Sequence, residues 1–349
     1  MSYEQQTSGE TPEGLPSKRP MPFTWVLHVA LFAVTFFTTT MAGVLWLNNQ
    51  DPLELRNFPL GLPYSISLLF ILATHEFGHY FAARYHRVKV TLPFFIPFPP
   101  FITLNFGTLG AVIRTRSVVP SRKVMFDIGA AGPLAGFVAC LCVLAFGFLN
   151  LPGREYLLQI HPDFDFSTNS IPGAGTVGLA FGDNLVLMFL RSIFEDQQFV
   201  PPMSEIYHYP YLCVGWFGLF VTAMNLIPVG QLDGGHVIYT MFGDKHRRIA
   251  RAAFVSLVTL GLPSTLDSVI RGLAESYYRE PFEQMIPWVQ YSWGGWLFWA
   301  AVLFLIVKLY HPPVSDETPL DEKRMWVGWL CLIIFLLCFT FVPFQVSLG

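Results

Sequence analysis

Seven stretches of roughly twenty apolar residues constrain this chain more than any other feature. They fall at about 23–47, 62–84, 124–149, 209–230, 252–270, 293–310 and 325–345. A helix rises about 1.5 Å per residue and satisfies its own backbone hydrogen bonds, so a run of this length is what crosses a bilayer. The expected fold class is an all-α polytopic membrane protein with about seven transmembrane helices. Composition agrees: 53% of the residues are hydrophobic and only 13% charged, with a mean hydropathy of +0.47. Such a chain does not stay soluble as an ordinary globule.

The sparse charges sort the loops. Lys18 and Arg19 precede the first run. Arg84, Arg87, Lys89, Arg114, Arg116, Arg122 and Lys123 fall between the second and third, and Lys245, Arg247, Arg248 and Arg251 follow the fourth. Lys308, Lys323 and Arg324 separate the last two. All of these lie on one side if the amino terminus is cytoplasmic, as the positive-inside bias requires. The expected setting is a multi-pass protein of the cell inner membrane. The net charge of −3 shows no basic surplus, which argues against a nucleic-acid partner. Residues 1–22 are polar and rich in Pro and Gly, and read as a disordered tail. Cys140, Cys142, Cys213, Cys331 and Cys338 lie in apolar runs without a C-x-x-C pair; they read as buried free thiols.

The second run carries His75-Glu76-Phe77-Gly78-His79. Positions four apart share a helix face, so two imidazoles can grip one metal ion while Glu76 stands beside it to handle a water proton. Entered from the outer side near Leu62, the helix reaches His75 after roughly 20 Å, past the bilayer middle. A lone intramembrane histidine such as His28 is best read as a helix–helix hydrogen bond. Three ionisable residues within five positions are instead a functional cluster. Two histidines and a water leave a tetrahedral zinc one protein ligand short. Asp233, in Asn225-Leu226-Ile227-Pro228-Val229-Gly230-Gln231-Leu232-Asp233-Gly234-Gly235-His236, is the candidate, because Pro228 and the glycines let the chain bend there. The same stretch also reads as a polar helix end followed by a turn.

H-E-x-x-H in one run with N-x-x-P-x-x-x-L-D-G in a later one resembles the site-2 protease family of intramembrane zinc metalloproteases. The resemblance covers roughly Leu62 to His236 and includes Gly107-Thr108-Leu109-Gly110-Ala111 and Gly129-Ala130-Ala131-Gly132-Pro133-Leu134-Ala135-Gly136. It implies one Zn2+ per chain held by His75, His79 and Asp233, with Glu76 as general base and Asn225 at the scissile carbonyl or its oxyanion. It also implies a transmembrane protein or peptide as substrate and the lipid bilayer as setting. The segment near 150–208 is too short and irregular for the PDZ domain many members carry, so the chain resembles the PDZ-less branch. The domain reading is then a tail (1–22), a first span (23–47), a protease core (62–236) and an accessory region (237–349).

A transmembrane substrate must unwind before it can be cut, because its carbonyls are bonded within its own helix. Pro93, Pro97, Pro99 and Pro100 forbid a regular helix between the second and third runs. Thr103-Leu104-Asn105-Phe106 and Ala111-Val112-Ile113 flank Gly107 and Gly110 like a small membrane-associated β-hairpin whose edge pairs with extended substrate. Asp127 reads as a helix-start acid, Gly132 and Gly136 as close-packing positions, 172–195 as a surface-lying or re-entrant helix, and His236 as a support behind the metal ligands or as structural. A zinc transporter and a non-cleaving zinc-binding membrane chaperone or sensor are the alternatives. Substrate identity and oligomeric state are not legible in the sequence.

Overall fold

The computed structural model describes residues 23–48, 50–101, 105–169, 178–278 and 288–347. The expected disordered tail at 1–22 lies outside the described residues. Helices dominate: α1 (Phe23–Asn48), α2 (Phe58–Tyr85), α3 (Arg122–Leu149), α4 (Arg154–Ile160), α5 (Leu185–Phe194), α6 (Pro210–Asn225), α7 (Asp233–Phe242), α8 (His246–Tyr278), α9 (Gly295–Val302) and α10 (Glu322–Cys338). Two antiparallel two-stranded sheets join β1 (Phe94–Pro97) to β2 (Thr108–Val112) and β3 (Gly178–Phe181) to β4 (Phe344–Ser347).

By length and composition, four helical segments among the described residues can cross a membrane: Thr24–Leu47, Leu55–Tyr85, Arg122–Leu149, and Asp233–Ala274, which runs through α7 and α8. The other three apolar runs form shorter helices. These are α6 with 16 residues, α10 with 17, and α9 extended by a π-helical turn, Leu303–Val307.

α6 is apolar on every side because it is enclosed by protein. Its Trp216, Phe217 and Leu219 are fully buried, and it packs against α2, α3 and α10. A helix apolar all round is one with no solvent face. Lipid is as apolar as leucine, so the helices gain little by hiding apolar area from it and cohere through close packing and hydrogen bonds. A Cβ on Gly78 would stand 2.5 Å from the Ala131 carbonyl oxygen, which shows how tightly α2 and α3 meet. Between α1 and α2, Thr39 and Ser65 share a hydroxyl–hydroxyl bond of 2.6 Å. Apolar side chains that remain outside, such as Val255, Val269 and Ile333, face the position lipid would occupy.

Several expectations change. The hairpin exists, but its first strand is β1 rather than 103–106, of which 103 and 104 lie outside the described residues. Proline biases its neighbours toward extended backbone, and Pro97 sits where the register slips, so this stretch can serve as an irregular strand. The run 172–195 is not one helix: residues 178–181 form β3, and α5 starts afresh where the Asn184 side chain accepts from the Leu187 amide at 2.9 Å. Asp127 sits in the second turn of α3, so it does not serve the helix start; it pairs with Arg324 of α10 at 2.6 Å and with His86 at 2.8 Å. Cys142 is exposed, while the other four thiols are buried and free. The C-terminal helices brace the fold, since α10 packs on α3, α6 and α7, and β4 completes the sheet with β3.

Candidate metal centre

α2 presents His75, Glu76 and His79 about two-thirds of the way along its roughly 42 Å length, all three buried. α6 ends at Asn225, and the chain turns through 226–232 before restarting at Asp233, the first residue of α7. That turn is tight. Gly230 has φ +59°, and a Cβ there would stand 1.9 Å from the Lys308 carbonyl oxygen, so only glycine fits. The break swings Asp233 back toward α2.

Three donor atoms converge. His75 Nε2 and His79 Nε2 are 3.1 Å apart, and Asp233 Oδ2 is 3.3 Å from each. Bonds of about 2.0–2.1 Å in tetrahedral geometry separate ligand atoms by about 3.3 Å, so the trio has the spacing a zinc ion requires. His79 Nδ1 lies 2.7 Å from the Ile128 carbonyl and donates to it. That bond leaves the lone pair on Nε2, facing the other two donors. The donor set, the fixed tautomer and the shared spacing fit a zinc ion.

Other residues of the sequence motifs gather here too. Asn225 Nδ2 lies 3.3 Å from His75 Nε2. Gly132 of α3 lies so close to the His79 ring that a Cβ would meet Nε2 at 2.0 Å, and Gly136 lies against His75. A cavity of about 440 Å3 contains Glu76, Asn225 and Asp233 in its wall, with exposed Gln231 also lining it. Asp127 is not part of it.

β2 and the residue after it form one side of the cavity through Ala111, Val112 and Ile113. Thr91 N–H donates to the Arg114 carbonyl, and Arg116 N–H donates to that of Lys89. Strand groups alternate, so the backbone of Val112 and Arg114 turns toward the partner strand and that of Ala111 and Ile113 turns toward the cavity. The Ile113 amide approaches the Glu76 carboxylate. His311 was not anticipated. The linker before α10 brings its ring 4.8 Å from that of His236 and stacks it on Tyr239 at 4.4 Å. A single histidine before two prolines carries no sequence signal for that.

Two histidines, a distant carboxylate and an adjacent glutamate, set among apolar helices, form the donor arrangement of zinc hydrolases. Comparison with known proteins places it further. The model of peptidase family M50 matches residues 63–262, and the chain belongs to that family. It is 31% identical over 257 residues to a protein named probable zinc metalloprotease EGY1, chloroplastic, of Arabidopsis thaliana, covering 68% of this chain and 42% of the relative. With the protein of the same name from Oryza sativa subsp. japonica the identity is 28%, covering 70% and 44%. With probable zinc metalloprotease EGY2, chloroplastic, of Arabidopsis thaliana it is 26%, covering 92% and 49%. The chain thus spans about half the length of the curated relatives it matches. No solved structure matches it.

Proposed function

We propose that this chain is an intramembrane zinc metalloprotease that hydrolyses peptide bonds in or near transmembrane segments of protein substrates. The observation that carries this reading is the convergence of His75, His79 and Asp233 with Glu76 at one cavity among apolar helices. One catalytic zinc per chain, held by those three residues, would polarise the scissile carbonyl and acidify a water. Glu76, beside the two histidines, takes the proton from the attacking water and returns it to the leaving amine. Asn225 donates from Nδ2 to the oxygen of the tetrahedral species, a contact worth about 3 kcal/mol of barrier. The substrate lies extended along β2 and the residue after it, where the outward backbone groups of Ala111 and the Ile113 carbonyl supply an edge for pairing.

In this reading α6, α9 and α10 complete a seven-span arrangement with a protease core at 62–236, preceded by the first span and followed by an accessory region. Contacts support one basic end: Arg122 donates to carbonyls of Glu317 and Tyr239, and Arg324 reaches Asp127. By the positive-inside bias that end and the amino terminus face the cytoplasm, and water reaches the cavity from there. The cell inner membrane is the proposed location. With the segment near 150–208 too short for a PDZ domain, substrate choice rests on how readily a helix unwinds.

Glu76→Gln tests the reading. Zinc content stays as in the parent, and cleavage of a labelled transmembrane substrate in liposomes falls by at least about 100-fold. A parent protein that binds zinc but cuts no substrate from a membrane proteome, with Glu76→Gln indistinguishable from it, favours a zinc carrier or sensor instead.

A further inference from the structure

The segment between α3 and α6 gathers a second set of metal-ligating side chains. His161 caps the C-terminal end of α4; Glu205 and His208 bracket a 3-10 turn, Ile206–His208, just before α6. The Nε2 atoms of His161 and His208 are 3.1 Å apart. Glu205 Oε2 lies 3.5 Å from the first and 3.7 Å from the second. Glu205 is 5% exposed and His208 3%. The whole 16-residue length of α6, roughly 24 Å, separates this group from Asn225 and the first centre.

Hydrogen bonding does not satisfy the cluster. His208 Nδ1 lies 2.6 Å from the Leu47 carbonyl and donates its proton there, so its Nε2 holds a lone pair. His161 can donate from Nε2 to that lone pair, and then neither imidazole Nε2 donates to the carboxylate, whose hydrogen bond is to the Ser204 side chain. Glu205 Oε2 is buried without a hydrogen-bond partner. Buried polar atoms in native proteins are almost always satisfied, and an unsatisfied one marks a missing partner.

We propose that His161, Glu205 and His208 bind a second divalent transition-metal ion, zinc by donor type, which fastens the outer segment to the ends of α1 and α6. Two imidazole nitrogens and one carboxylate oxygen are zinc donors, whereas calcium and magnesium call for oxygen. Bonds of about 2.0–2.2 Å separate tetrahedral ligands by about 3.3–3.6 Å, close to the spacing here. The internal plan repeats that of the first centre: one imidazole is fixed by its Nδ1–H on a backbone carbonyl, Leu47 here and Ile128 there. The difference is chemical. The carboxylate of this cluster is itself a ligand, and neither His161 nor His208 has a glutamate as its chain neighbour, as His75 has in Glu76. The ion therefore has a structural role. It links α4 to the turn before α6, whose His208 holds the end of α1 through Leu47 and accepts from the Tyr156 hydroxyl at 2.9 Å. The assignment does not depend on the protease reading.

The test is metal stoichiometry on the detergent-solubilised chain after equilibration with Zn2+ and removal of loose ion. The wild type holds about two equivalents, and His75→Ala/His79→Ala and the near-isosteric Glu205→Gln each hold about one. In the His75→Ala/His79→Ala background, added Zn2+ raises the unfolding midpoint, and adding Glu205→Gln removes that rise. Co2+ in the same background gives the visible absorption of a tetrahedral site. A wild type with about one equivalent, or a well-folded His75→Ala/His79→Ala form with none, overturns the proposal. If Glu205→Gln does not fold, the wild-type count and the His75→Ala/His79→Ala form decide it.

Discussion

Gly132→Ala probes the metal centre through a residue that touches no ligand electron pair and carries no charge. The added Cβ would stand 2.0 Å from His79 Nε2 and 2.4 Å from both Cδ2 and Cε1. Nonbonded heavy atoms rest about 3.5 Å apart, so the ring must retreat by about 1.5 Å. It has no free path: His79 is buried, its Nδ1 is tied to Ile128, and α2 and α3 are already in close contact at Gly78. Metal sites tolerate about 0.2 Å of error in ligand distance, and functional constellations about 0.5 Å. The displacement is several times either limit, so His79 is lost as a ligand. Zinc affinity falls by at least about 100-fold, read from a series of chelator-buffered dialyses, and cleavage of a transmembrane substrate falls with it. Overpacking adds a stability cost of about 1–3 kcal/mol. The control is Gly272→Ala on α8, where an added Cβ meets nothing within 4 Å; helix propensity makes it neutral or stabilising by up to about 1 kcal/mol. A Gly132→Ala protein with zinc affinity within threefold of the parent and intact cleavage would refute the reasoning.

Asp233→Asn removes the anionic donor and leaves a neutral amide of the same shape, so zinc affinity drops by at least about 100-fold by the same dialysis while the fold persists. Ala111→Pro removes an amide that faces the cavity rather than the partner strand; zinc content stays unchanged while cleavage falls, and crosslinkers at Val112 capture substrate. Capture only by probes on helices sinks the hairpin role. Asp127→Ala strips the Arg324 guanidinium of two bonds, at 2.6 and 2.7 Å, and leaves it Asp321 as counter-charge. The pair is about a quarter exposed, which screens it, so the loss is about 1–3 kcal/mol in unfolding free energy, with zinc content unchanged.

Much was legible in the sequence because the constraints acted locally. Apolar length fixed the long helices, since bilayer thickness and the helical rise leave little choice. The four-residue spacing of His75 and His79 fixed their common face, and Pro228 with its neighbouring glycines marked where α6 must stop. Glu76 needed no tertiary knowledge, being adjacent in the chain.

What the sequence could not settle depended on partners far away along it. Asp127 reads as a helix-start acid until Arg324, nearly two hundred residues later, turns up against it. The first strand of the hairpin hides in a proline-rich stretch because its extended backbone is completed by β2 and α1, not by its own pattern. Only the packed structure brings Asp233 to the α2 histidines, closes Gly132 onto His79, and sets His161 beside Glu205 and His208. Residue type and spacing determine which groups could bind a metal; which ones converge is decided by helix packing, a sum of many weak contacts that no short motif encodes.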